Sequence, residues 1–115
     1  WDWRGGPVGE AAAKLSQTDN QLAYQEFSLM QSLEAAYQQY DIANAQVVAL
    51  EGGIVRHAAN ALRIAELAYK AGEKSFLDVM DAQRVYRAAR NELITAQFEL
   101  AGAWAEIERL RATTP

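Results

Sequence analysis

Lys70-Ala71-Gly72-Glu73-Lys74-Ser75-Phe76-Leu77-Asp78 is the stretch on which the fold turns. Lys70 puts a cation where a helix C-terminus favours one, and Gly72 suits the left-handed position that ends a helix. Ser75, followed three residues later by Asp78, has the spacing of a capping box at the start of the next helix. One helix therefore stops and another starts within a few residues, and so short a connection predicts two antiparallel helices.

Outward from this turn, nothing interrupts either helix. No proline occurs between Pro7 and Pro115, and the sequence is rich in Ala, Leu, Glu, Gln and Arg, which lose little entropy in a helix. Apolar residues recur at intervals of seven. Before the turn one row runs Leu15, Leu22, Leu29, Ala36, Ala43, Leu50, His57, Ile64, with a companion row Leu33, Tyr40, Val47, Ile54, Ala61, Ala68. After it come Val79, Tyr86, Leu93, Leu100, Ile107 and, beside them, Ala82, Ala89, Ala96, Ala103, Leu110. A sustained 3.5-residue period specifies coiled-coil packing. The fold class is thus all-α, a long antiparallel coiled-coil hairpin. Residues 9–70 form the long helix, 71–75 the turn, 76–111 the returning helix and 112–115 a tail.

At 1.5 Å per residue the two helices differ in length, roughly 90 Å against 55 Å. The shorter one covers only the half of the longer one nearest the turn. Residues from about 10 to 33 are left without an intrachain partner, yet carry Leu15, Leu22, Phe27, Leu29 and Met30. An unpaired apolar stripe implies other chains or further segments. Gly52-Gly53 inside the long helix reads as a tolerated flaw or slight bend, or else as a place of close helix approach or altered curvature. Residues 1–8 read as non-helical, with Trp1 and Trp3 on one face of a strand that Gly5-Gly6-Pro7 breaks. A cloning remnant is the plain alternative. The chain opens on Trp1 with no signal-peptide pattern, which points to a processed chain or an excerpt.

Composition removes several kinds of chemistry. One His and no Cys exclude a Cys-rich zinc site, an iron–sulfur cluster, a disulfide framework and a Cys nucleophile. A net charge of −4 and the lack of a basic stripe argue against nucleic acid. No apolar run approaches a membrane-spanning helix. Asp78 and Asp81 share a helix face, where the plain role of acids is to complement the helix dipole. No His, Cys or other nucleophile accompanies them, so a carboxylate-pair enzyme is a remote reading, and two carboxylates alone hold a metal weakly. His57, alone in an apolar row, reads first as a packing element. No cofactor is expected, no metal site, and no catalytic residue.

The run Ala65-Glu66-Leu67-Ala68-Tyr69-Lys70-Ala71-Gly72-Glu73-Lys74-Ser75-Phe76-Leu77-Asp78-Val79-Met80-Asp81-Ala82 resembles the outer-membrane efflux protein family, the TolC-like trimeric channels. Tyr69, Gly72, Ser75, Asp78, Asp81 and Ala82 match the family pattern, and Arg87 to Leu93 and Ala103 to Leu110 resemble its returning helix. The resemblance implies the C-terminal helical hairpin of an outer-membrane channel subunit. Its helices would belong to a trimeric periplasmic α-barrel, and residues 1–8 to the foot of a β-barrel strand in the outer membrane. The partners it implies are two further copies, a periplasmic adaptor protein and an inner-membrane pump, together forming a tripartite system that exports drugs, metal ions or other substrates. Asp78 and Asp81 would face the pore at its constriction, beside Tyr69 and Lys74. Lys74 stands where a well-known member carries Arg, and a point charge fixes geometry less than a planar fork does. Ala71, Gly72, Glu73 and Ser75 would form the tip that docks the adaptor. Two rivals are the α-hairpin of an adaptor protein, which lipoyl-like half-motifs would flank, and a stand-alone coiled-coil interaction module.

Overall fold

The computed structural model describes residues 5–114. It contains a helix α1 (Gly5–Ala49), a π-helical turn (Leu50–Ile54), a helix α2 (Val55–Lys70) that continues α1, and a returning helix α3 (Phe76–Ala112). The molecule measures 105 × 19 × 15 Å, the proportions of a hairpin two helices thick. Among the described residues no helix is long and apolar enough to cross a membrane.

The hairpin's seam follows the sevenfold rows of α3 without a break. Val79, Ala89, Ala96, Ala103, Ile107 and Leu110 are buried, and Ala82, Tyr86, Leu93 and Leu100 are half-buried. Alanines at alternate layers let the long helix approach closely, while Leu and Ile fill the layers between. Near the far end Ala36, Ile107 and Leu110 form one cluster, joined by Leu29, Leu33 and Tyr40. Tyr40 also meets Trp104 in a tilted arrangement, with ring centroids 5.9 Å apart. Val47, Leu50 and Ala96 form a second cluster with Leu93 and Leu100.

Beyond Leu29 the long helix runs alone. Leu15, Leu22, Tyr24, Phe27 and Met30 are exposed along it, as the length mismatch predicts. The helix also starts earlier than expected. Gly5 to Val8 are helical, so Gly5-Gly6-Pro7 does not break the chain into strand and helix. Pro7 is tolerated because the first N–H groups of a helix have no intrahelical acceptor. Trp1 and Trp3 lie outside the described residues.

The main departure from the periodic reading is at Gly52-Gly53. Here Val55 N–H donates to the carbonyl of Leu50, five residues back, in place of the usual four. One extra residue is thereby absorbed, and the seam slips by one. Upstream, Ala36, Ala43 and Leu50 keep the sevenfold row. Downstream, Ala58 is buried while His57 is exposed. Val55, Leu62 and Ala65 are half-buried, whereas Ile54 and Ile64 are 50% and 61% exposed and Ala61 is exposed. His57, Ile64, Ile54 and Ala61 are therefore not seam residues. Close helix approach does not explain the glycines either, since a Cβ at Gly52 or Gly53 would meet nothing within 4 Å.

Candidate functional site

The chemistry-bearing residues collect at the turn between α2 and α3, and backbone hydrogen bonds fix that turn. Gly72 N–H donates to the Tyr69 carbonyl at 3.0 Å and Glu73 N–H to the Ala68 carbonyl at 2.9 Å, the paired bonds of a Schellman ending. Lys74 N–H shares the Ala68 carbonyl at 3.3 Å. Gly72 has φ 76°, and it is the only positive-φ residue among those described. An L side chain there would strain the backbone, which is why the motif places Gly at this position.

The N-cap of the next helix, Ser75, comes two residues after Glu73. Ser75 N–H and Ser75 Oγ each lie 3.0 Å from Asp78 Oδ2, and Asp78 N–H donates to Ser75 Oγ at 3.4 Å. This is a complete capping box. The Ser75 N–H bond, seconded by the Ser75 hydroxyl and the Lys74 charge, holds the Asp78 carboxyl below its ordinary range. Asp78 is thus ionised and already engaged through one oxygen. Asp81, one helical turn on, is differently placed. Its one ion pair is a long exposed contact to Arg84 at 3.9 Å.

Tyr69, at the end of α2, tilts against Phe76, the first residue of α3, with centroids 5.5 Å apart. The pair clasps the turn from one side. Phe76 is a contributor that motif reading missed. Its signal was available as two aromatics seven apart, straddling a Gly. Ala71, Gly72, Glu73, Lys74 and Ser75 are all exposed. The site is accordingly a rigid, solvent-facing tip with two carboxylates on the first turns of α3. It has no enclosed cavity, and among the described residues no three His, Asp or Glu side chains cluster as metal ligands.

His57 stands apart from the tip, on an open groove with Ile54, Ala58, Ala61, Val85 and Ala89. Among the described residues one side-chain hydrogen bond links the two arms of the hairpin. Gln97 Nε2 donates to Glu51 Oε1 at 3.2 Å, beside the π turn.

No curated protein and no solved structure shows significant similarity to the chain. The family of outer membrane efflux proteins matches residues 7–113, covering all of α2 and α3, the turn between them and nearly all of α1. That family is one of transport, not catalysis. A hairpin with one overlong arm, a Gly-closed tip and a match along almost its entire length lead to one assignment: the chain belongs to the outer membrane efflux protein family and is a component of an outer-membrane efflux channel.

Proposed function

We propose that the hairpin is a stave of the periplasmic α-barrel of a trimeric channel, working with an adaptor protein and an inner-membrane pump in a tripartite efflux system. The observation that carries this reading is the unpartnered arm. Leu15, Leu22, Phe27 and Met30 face solvent on a single helix, and on α3 Ile94 and Phe98 face away from the seam, Phe98 at 80% exposure. Apolar side chains on several faces of a two-helix rod call for neighbours on its flanks. A closed ring of staves supplies them.

In this arrangement the tip carries the gate. Asp78 and Asp81 from three copies bring six carboxylates around one passage, with Tyr69 and Lys74 beside them. Their mutual repulsion favours protonation, a bound cation or a wider pore. The two acids do not contribute alike. Asp78 spends one oxygen on its capping box, whereas Asp81 meets only a distant Arg84 and is the carboxylate most available to a cation. Ala71, Gly72, Glu73 and Ser75 form the surface that docks the adaptor. The cargo is a drug, a metal ion or another substrate.

Asp81→Asn tests the gate, because it removes charge without touching the cap. In bilayer recordings of the intact channel the variant loses divalent-cation block and cation preference. Conductance and selectivity unchanged from the parent remove Asp81 from the constriction.

A further inference from the structure

The π turn leaves α2 with two apolar seams. The one in use consists of Val55, Ala58, Leu62 and Ala65. The other continues the upstream rows through Ile54, His57, Ala61 and Ile64, and all four are exposed. Each residue of one set precedes a residue of the other by one position. The unused residues are not remote from α3. Ile54, His57 and Ala61 line a groove whose opposite wall includes Val85, Ala88 and Ala89.

We propose that Leu50–Ile54 is a register-selecting element: α2 can dock on α3 through either of two seams one residue apart, and the presence of the π turn selects the one in use. With the turn in place, the extra residue is absorbed and Ala58 is buried on the groove that it lines together with the buried Ala89. If the turn relaxes to α-helix, the upstream row continues unbroken and His57 takes that place. The exchange rotates α2 by about 100° and moves it along its axis by roughly 1.5 Å, the step of one helical residue.

Three features suit the segment to this role. Gly52 and Gly53 present open space on the turn, so no side chain locks its hydrogen-bond pattern. Glu51, within the turn, is held by Gln97 of α3, a polar tie that the relaxed form would have to break or remake. The downstream seam is the weaker part of the hairpin: Ala58 is its one fully buried residue on α2, against Ala36, Ala43, Val47 and Leu50 upstream. A light seam costs little to exchange, and interior π turns commonly mark functional positions.

The consequence reaches the tip. The Schellman bonds of Ala68 and Tyr69 tie the end of α2 to the turn, and the capping box ties the turn to α3. A one-residue movement of α2 therefore has to be taken up in residues 71–75. The π turn couples mid-length to the tip through a single rigid helix.

Paired cysteines in the intact channel, with any native thiols replaced, read the register directly. One pair joins position 58 to 89 and the other 57 to 89 (A58C/A89C and H57C/A89C). In the parent the 58–89 disulfide forms in preference. Leu62→Gln and Ala65→Gln weaken the seam in use, and Ala61→Leu strengthens the other. Together they should reverse the preference by at least about tenfold, since the half-buried Leu62 is lost from one seam and a Leu is gained by the other. Deleting Gly53 heals the turn in place, so the ΔGly53 channel should keep the 58–89 preference even with the three substitutions present. A triple variant that retains the parent preference, or forms neither disulfide, overturns the two-register proposal. So does a ΔGly53 channel that prefers 57–89.

Discussion

Replacing Gly72 separates the tip's hold on its own shape from the docking surface proposed for it. With φ at 76°, residue 72 lies in the left-handed region, where an L side chain costs about 1–2 kcal/mol. Nothing lies within 4 Å of a Cβ built there, so no steric penalty adds to the backbone cost. Gly72→Ala and Gly72→Trp should therefore strain the turn equally. A loss of that size multiplies local opening by about 5 to 30. The amides of Gly72 and Glu73, which donate to Tyr69 and Ala68, report it by hydrogen exchange. Both variants should speed these amides alike. Gly72→Asn should do so less, because Asn visits the left-handed region more readily. Trp alone adds bulk to the exposed tip. Any loss of adaptor crosslinking or export in Trp beyond that in Ala then measures docking, with trimer assembly intact in both. Unchanged exchange in the Ala variant refutes the strain argument. Equal export by the Ala and Trp variants refutes docking at the tip.

Two further perturbations probe the hairpin itself. Ile107 is 0% exposed and anchors the cluster where the shorter arm ends. Ile107→Ala should cost about 2–5 kcal/mol. Amides of residues 100–112 should then exchange faster, while the tip, far along the rod, stays unchanged. Ser75→Ala should weaken the start of α3 by about 1 kcal/mol, with Thr restoring most of it. The pH dependence of that cap follows from Asp78, whose carboxyl titrates below its ordinary value of 3.8 in the folded chain. The sign is that of a depressed acid: its contribution is complete above 3.8 and is lost as pH falls through the lower folded value. Faster exchange of the first α3 amides on acidification checks it, and Ser75→Ala should lessen the effect only in part, because the backbone N–H at position 75 still donates to Asp78.

The parts of the fold that were legible in the sequence are those governed by repeating or strictly local rules. The α3 rows hold at every layer from Val79 to Leu110 because a continuous helix keeps its phase. The turn was legible because Gly72 and Ser75-x-x-Asp78 each encode a specific backbone geometry within a few residues. The bare arm followed from counting residues on either side of Gly72. What failed on the long arm was phase beyond Gly52-Gly53. Ile54, Ala61 and Ile64 fit the upstream rows as apolar residues, so the pattern offered no contradiction. Only His57 broke it, and a single His in a row of eight is easily passed over as packing. The helix start was misplaced for a related reason. Gly5-Gly6-Pro7 has the composition of a break, but the first turn of a helix has no internal N–H bonds for Pro7 to disrupt.

At the tip the limit is of another kind. Spacing brings Asp78 and Asp81 to one face of α3 but says nothing about what each carboxylate already holds. That division depends on the rotamer of Asp78, which turns back to Ser75 and leaves Asp81 free. It has a consequence for any charge ring built from three copies. Removing Asp78 disturbs the start of the helix as well as the passage, so a change in conduction in that variant mixes two causes. Removing the Asp81 charge perturbs only a long exposed contact, worth little on its own. If the ring governs cation block, Asp81→Asn should reproduce most of the effect of the double variant lacking both acids. If Asp81→Asn is silent and Asp78→Asn is not, the block depends on the shape of the capped turn, and the six-carboxylate ring is the wrong account of the gate.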